Sequence, residues 1–130
     1  TNAITQHVTD IIHDLYGKNK STSKLRPRSW KEPHLLKYQA VKGYPFHTGI
    51  QMHYDGCDIT WQAMLSRPNE YAGGGTYFCS LKKTIKLRQG QVLIHPGKLY
   101  HKGVDIITGI RMMIVCFMDG FDSNIVDNIP

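Results

Sequence analysis

The stretch 91–117, QVLIHPGKLYHKGVDIITGIRMMIVCF, decides the fold. It divides into three short runs, QVLIHP, VDIIT and RMMIVCF, each rich in β-branched or large apolar residues and separated by Pro-Gly or Gly. Runs of this length with such punctuation read as β-strands. Towards the N-terminus the same texture recurs in TIKLR (84–88), TYFCS (76–80), ITWQAML (59–65), TGIQMHY (48–54) and HLLKYQA (34–40), with no helical pattern among them. About eight short, closely spaced strands argue for an all-β sandwich or barrel, and a jelly roll is the arrangement that best manages the sheet edges.

Upstream, residues 3–16 place Ile4, Val8, Ile11, Ile12 and Leu15 at helical spacing, which predicts an amphipathic helix packed on the outside of the β core. Between them lies GKNKSTSKLRPRSWKEP (17–33), with six cations from Lys18 to Lys31 and the single acid Glu32. It reads as a solvated basic loop, and secondarily as a binding strip. The expected organisation is one domain over 1–130: helix 3–16, basic loop 17–33 and β core 34–118.

With 41% apolar and 20% charged residues, the chain can bury one core and is unlike a disordered segment. Its net charge of +6 favours acidic partners without choosing among them. Cys57, Cys79 and Cys116 cannot form a closed set of disulfides, and none lies in a CxxC pair. They read as small buried hydrophobes in a reducing compartment, cytoplasmic or nuclear. No run of 18 apolar residues is present, so no membrane partner is expected.

Chemistry concentrates at three places. In His53-Tyr54-Asp55, side chains at i and i+2 of an extended segment share a face, so an imidazole and a carboxylate can grip one metal ion. His101 closes LYH, and Arg111 follows ten residues later. Two histidines and one carboxylate on one face of a metal leave coordination positions open, as a non-haem ferrous centre requires. A fixed guanidinium nearby suits a bidentate grip on the far carboxylate of a dicarboxylic acid. With seven histidines in the chain an HxD alone is weak, and the ordered combination carries the reading.

From Tyr38 to Phe117 the chain resembles the 2-oxoglutarate and Fe(II)-dependent dioxygenases, and among them the lysyl and prolyl hydroxylases. The stretches that carry the likeness are HYDGCDITWQAML, EYAGGGTYF and GQVLIHPGKLYHKGVDIITGIRMMIVCF. The resemblance implies a double-stranded β-helix, Fe(II) held by His53, Asp55 and His101, and Arg111 on the C5 carboxylate of 2-oxoglutarate. Tyr38 matches a tyrosine that lines the cosubstrate pocket, with Tyr44 as a competitor for that place. Gln62 stands where lysyl hydroxylases carry Asn, and Met64 where oxygen-sensing prolyl hydroxylases carry a cosubstrate-contacting Tyr.

The function so implied is hydroxylation of an aliphatic C–H, with molecular oxygen and 2-oxoglutarate as co-reactants and a prolyl or lysyl side chain of a peptide or protein as substrate. An ascorbate requirement is left open. Alternatives are a nucleic-acid demethylase, a small-metabolite hydroxylase and a non-catalytic jelly-roll binding module. Against the demethylase, the later Arg of that group's pattern is replaced here by Phe117. His95 reads as packing, Trp61 as outer-face packing, and Gly73, Gly74 and Gly75 as a close backbone approach or bulge. His7, His13, His34 and His47 have no partner at ligand spacing.

Overall fold

The computed structural model of the chain describes residues 3–16, 24–40 and 47–121. Helix α1 (Ala3–Tyr16) precedes ten strands among the described residues: β1 (Arg26–Pro27), β2 (His34–Ala40), β3 (Ile50–His53), β4 (Ile59–Met64), β5 (Tyr71–Gly73), β6 (Thr76–Phe78), β7 (Lys83–Ile85), β8 (Val92–Pro96), β9 (His101–Gly103) and β10 (Ile106–Asp119). In the larger sheet β10 pairs with β2 and β4, β8 lies outside β4, and β1 and β5 pair with the two ends of β10. The smaller sheet runs β3-β9-β6-β7. The chain passes from sheet to sheet as it alternates β2, β3, β4, then β6 and β7, then β8, β9 and β10. This antiparallel, twice-wound path is the double-stranded β-helix, the jelly roll expected from the spacing of short strands.

Strand β4 is the centre of the packing, because all six of its residues are buried. Alternation sends Ile59, Trp61 and Ala63 to one face and Thr60, Gln62 and Met64 to the other. On the first face Ile59, Trp61 and Ala63 join Val8 and Ile12 of α1 with Cys116, Met118 and Phe121. On the second, Met64 joins Tyr38, Ile106, Met113 and Val115 inside the barrel. Trp61 thus packs on the outer face, and the helix covers the larger sheet as its apolar stripe demands. Only the centre of that stripe is engaged: Val8 and Ile12 are fully buried, whereas Ile4 and Leu15 are 40% and 65% exposed. Complete burial of Val8 and Ile12 supplies roughly 1.5–3 kcal/mol each.

Several expectations are corrected. VDIIT and RMMIVCF are one strand, because Gly109 with φ of 84° continues β10 past the turn at Pro68–Glu70, where a Cβ would collide with the Glu70 carbonyl. The basic segment is not a loop throughout: β1 pairs with the end of β10, and Arg28 Nε meets Asp119 Oδ2 at 3.1 Å. The part at 17–23 lies outside the described residues. Of the cysteines only Cys116 is buried; Cys57 is half-buried and Cys79 is exposed, since it opens the turn between β6 and β7. Gly73, Gly74 and Gly75 all have positive φ; Gly73 and Gly74 lie against the start of β10, where the register shifts, and Gly75 lies against Thr84 and Ile85, so they do serve a close backbone approach.

Candidate active site

His53 closes β3 and His101 opens β9, and the two are register partners across the antiparallel ladder. Their rings lie 4.4 Å apart. Asp55, two residues past His53, is held by its own amide, which donates to the Gly97 carbonyl at 2.9 Å. Gly97 is required there: a Cβ would strike the Cys57 carbonyl, which explains the glycine of the HPG run. His53 Nε2 stands 3.2 Å from Asp55 Oδ1, and His101 Nε2 stands 3.4 Å from Asp55 Oδ2.

The surrounding hydrogen bonds fix the donor atoms. His53 Nδ1 donates to the Gln51 carbonyl and His101 Nδ1 to the Leu99 carbonyl, both at 2.6 Å. Because a carbonyl only accepts, each Nδ1 carries a proton, and Nε2 is the ring nitrogen that each histidine turns towards Asp55. Thr60 Oγ1, from the inner face of β4, donates to Asp55 Oδ2 at 2.6 Å and fixes the carboxylate rotamer. The three ligand atoms lie within 4.8 Å of one another, and the donor set suits a divalent metal that retains open positions.

The triad opens on a cavity of about 110 Å3 whose lining includes Tyr38, Gln62, Thr76, His95, Met113 and Phe117. Gln62 Oε1 accepts from Thr76 Oγ1 at 3.2 Å. Arg111 is not on that lining but behind it, 1% exposed, with its guanidinium carbon 5.2 Å from the centre of the Tyr38 ring. Its Nε and Nη1 have no hydrogen-bond partner. Burial lowers its pKa, a shift opposed by Tyr38 and by a hydrogen bond to Tyr71, yet a guanidinium keeps its charge. A buried cation with two unpartnered nitrogens is a strong demand for an anion. A dicarboxylate cosubstrate fits that demand, and Fe(II) fits the triad.

His53, Asp55 and His101 therefore come together as the spacing implied, and Tyr38 and Gln62 share their cavity. Tyr44 lies outside the described residues. His95 is buried: Nδ1 donates to the Pro96 carbonyl at 2.8 Å, and its ring meets those of His101 and Phe78 at 4.8 and 5.0 Å. Burial pushes its pKa down to about 4, so it is neutral and braces His101. Sequence reasoning missed His34, which pairs with Glu32 at 2.8 Å and lines the cavity, and Tyr71, which supports Arg111. For His34 period-two alternation was the available signal: His34, Leu36 and Tyr38 share one face of β2, as Arg111, Met113, Val115 and Phe117 share one face of β10.

A double-stranded β-helix with a two-histidine, one-carboxylate triad and a buried arginine behind it is built to hold a metal ion and a carboxylate ligand side by side. Relatives agree. The chain is 29% identical over 115 residues to a PKHD-type hydroxylase of Prochlorococcus marinus, covering 82% of this chain and 52% of that protein. It is 37% identical over 74 residues to mouse procollagen-lysine,2-oxoglutarate 5-dioxygenase 1, covering 54% of this chain and 10% of that protein. The chain thus spans about half the length of the first relative and a tenth of the second. A crystal structure of a viral collagen prolyl hydroxylase from Paramecium bursaria Chlorella virus-1, in complex with 2-oxoglutarate, shares the fold with a TM-score of 0.62 at 20% identity, over 91% of this chain and 72% of that one. No family model matches. In sequence and in fold the chain is similar to members of the 2-oxoglutarate and Fe(II)-dependent dioxygenase superfamily.

Proposed function

We propose that this protein hydroxylates an aliphatic C–H of a prolyl or lysyl side chain in a peptide or protein, using Fe(II), 2-oxoglutarate and molecular oxygen. The observation that carries the reading is the pairing of the triad with the unsatisfied cation of Arg111 in one barrel interior. When bound, the iron and its cosubstrate supply the oxidising power for the C–H bond. The protein binds and orients. His53, Asp55 and His101 hold the metal with Nε2 and carboxylate oxygens already aimed, so little reorganisation accompanies loading.

Arg111 draws one end of the dicarboxylate towards the depth of the barrel, beside Tyr38 and Tyr71. Leu36, Met113, Val115 and Phe117 give the cavity an apolar wall that excludes water and accepts an aliphatic side chain. The peptide class is supported by the collagen- and lysine-modifying names of the relatives. The test is succinate release over a panel of Pro- and Lys-containing peptides, free amino acids and methylated oligonucleotides. Turnover above the uncoupled background is expected with peptides; turnover confined to oligonucleotides or free amino acids would overturn the substrate class.

A further inference from the structure

The net charge of +6 is unevenly placed. Residues 71–104 hold six Lys or Arg and no Asp or Glu, while the other ten cations are offset by all ten acids. This stretch builds β6, β7 and β9 of the smaller sheet, and β3, its fourth strand, also lacks a carboxylate. Lys82, Lys83 and Lys102 are exposed and have no ion pair with a carboxylate among the described residues.

Lys82 and Lys83 border the metal end of the barrel, and Lys102, the neighbour of His101, lies beside it on the outer face of β9. The β6–β7 turn follows Phe78, whose ring lies 5.6 Å from that of His101, and Lys83 is the register partner of Phe78. Cys79 N donates to the Tyr100 carbonyl at 2.9 Å, tying the turn to the residue that precedes His101. Tyr54 and Tyr100, next to ligands in the chain, hold their rings 4.7 Å apart and are 64% and 39% exposed. Lys102 Nζ stands 5.7 Å from the centre of the Tyr77 ring. The rim on this side is cationic and aromatic, whereas β2 and β10 give the cavity an apolar wall.

We propose that Lys82, Lys83 and Lys102, with Tyr54 and Tyr100, dock an acidic flank of the polypeptide whose target side chain enters the cavity. The identity of the target rests on the hydroxylase reading; the docking does not. A polyanionic nucleic acid would meet the same charges, but a cavity of about 110 Å3 that must also admit a dicarboxylate suits an aliphatic side chain better than a nucleobase. Rim charges of this kind act through steering and modest affinity, and salt screens them.

The experiment is fluorescence anisotropy of the full chain with labelled peptides of equal length, carrying one Pro or Lys target flanked by Glu or, in the control, by Gln. At low salt the acidic peptide is expected to bind about tenfold tighter, with the difference vanishing near 1 M salt, where the screening length is roughly 3 Å. The triple variant K82E/K83E/K102E should lose the preference and K82R/K83R/K102R should keep it. Equal binding of the two peptides, an undiminished preference in the glutamate variant, or displacement of the acidic peptide by a tighter-binding oligothymidylate would overturn the proposal. The anaerobic Fe(II)–2-oxoglutarate absorption band should be the same in both variants as in the unmodified chain. Its absence from the unmodified chain would defeat the hydroxylase reading, while the peptide comparison, which needs no metal, would still decide the rim.

Discussion

Arg111 of β10 and Tyr38 of β2 are register partners, and the guanidinium carbon lies 5.2 Å from the centre of the phenol ring. The ring shields a charge whose Nε and Nη1 are unpaired. Without an anion, that charge costs stability; with one, it becomes an anchor.

Arg111→Met therefore has two opposed consequences. In the absence of cosubstrate the variant should match or exceed the unmodified chain in stability, by as much as about 1–4 kcal/mol, because a desolvated charge has been replaced by an apolar side chain. On adding 2-oxoglutarate with Fe(II), the unmodified chain should gain melting temperature by linkage and the variant should not. Thermal scans with and without cosubstrate decide it, and a variant that still gains would show that Arg111 is not the anchor.

Thr60→Val removes the hydroxyl that donates to Asp55 Oδ2 while keeping the shape of the side chain. The carboxylate then loses its fixed rotamer, and metal affinity should fall about 10–100-fold, the usual range for an outer partner of a ligand. Titration of the metal-free protein with Fe(II) or Co(II) measures this directly. Thr60→Ser, which restores the hydroxyl, should recover most of the affinity.

Much of this was legible in the sequence, and the exceptions have physical reasons. HLLKYQA is strand β2 to the residue, because turn residues bound it and its alternation is intact. β10 was split because Gly109 looks like a breaker, whereas its positive φ lets the strand pass the Glu70 carbonyl. β1 was missed since a two-residue strand containing Pro27 has no periodicity, and only its pairing with Met118 and Asp119 defines it. At the site, His53, Asp55 and His101 followed from spacing. Tyr71 could not: its link to Arg111 spans the turn that Gly74 packs into, where Arg111 Cδ and the Tyr71 ring converge.

Helix α1 and the metal site lie on opposite faces of β4, so they should be energetically separable. Ile12→Ala leaves a cavity among Val8, Trp61 and Cys116 and should cost about 2–5 kcal/mol in urea denaturation. Fe(II) affinity at temperatures where the variant remains folded should be unchanged. A parallel loss of metal binding would show that the outer core positions the triad through β4.

The cysteines provide a check on burial and on alkaline stability. Cys79 is exposed, while Cys116 is fully buried under α1 and burial pushes its thiol up to about 12 from an ordinary 9.0. A thiol reagent at neutral pH should modify Cys79 rapidly and Cys116 only after unfolding. The folded state keeps the Cys116 proton over a pH range in which the unfolded chain releases it, so between pH 9 and about 12 the unfolded state binds fewer protons. Stability contributed by the buried neutral thiol is thus complete below pH 9 and declines as pH rises towards 12. Urea midpoints measured across that window for the unmodified chain and for Cys116→Ala test it: the unmodified chain should lose stability more steeply with pH, and equal slopes would mean that Cys116 ionises as readily folded as unfolded.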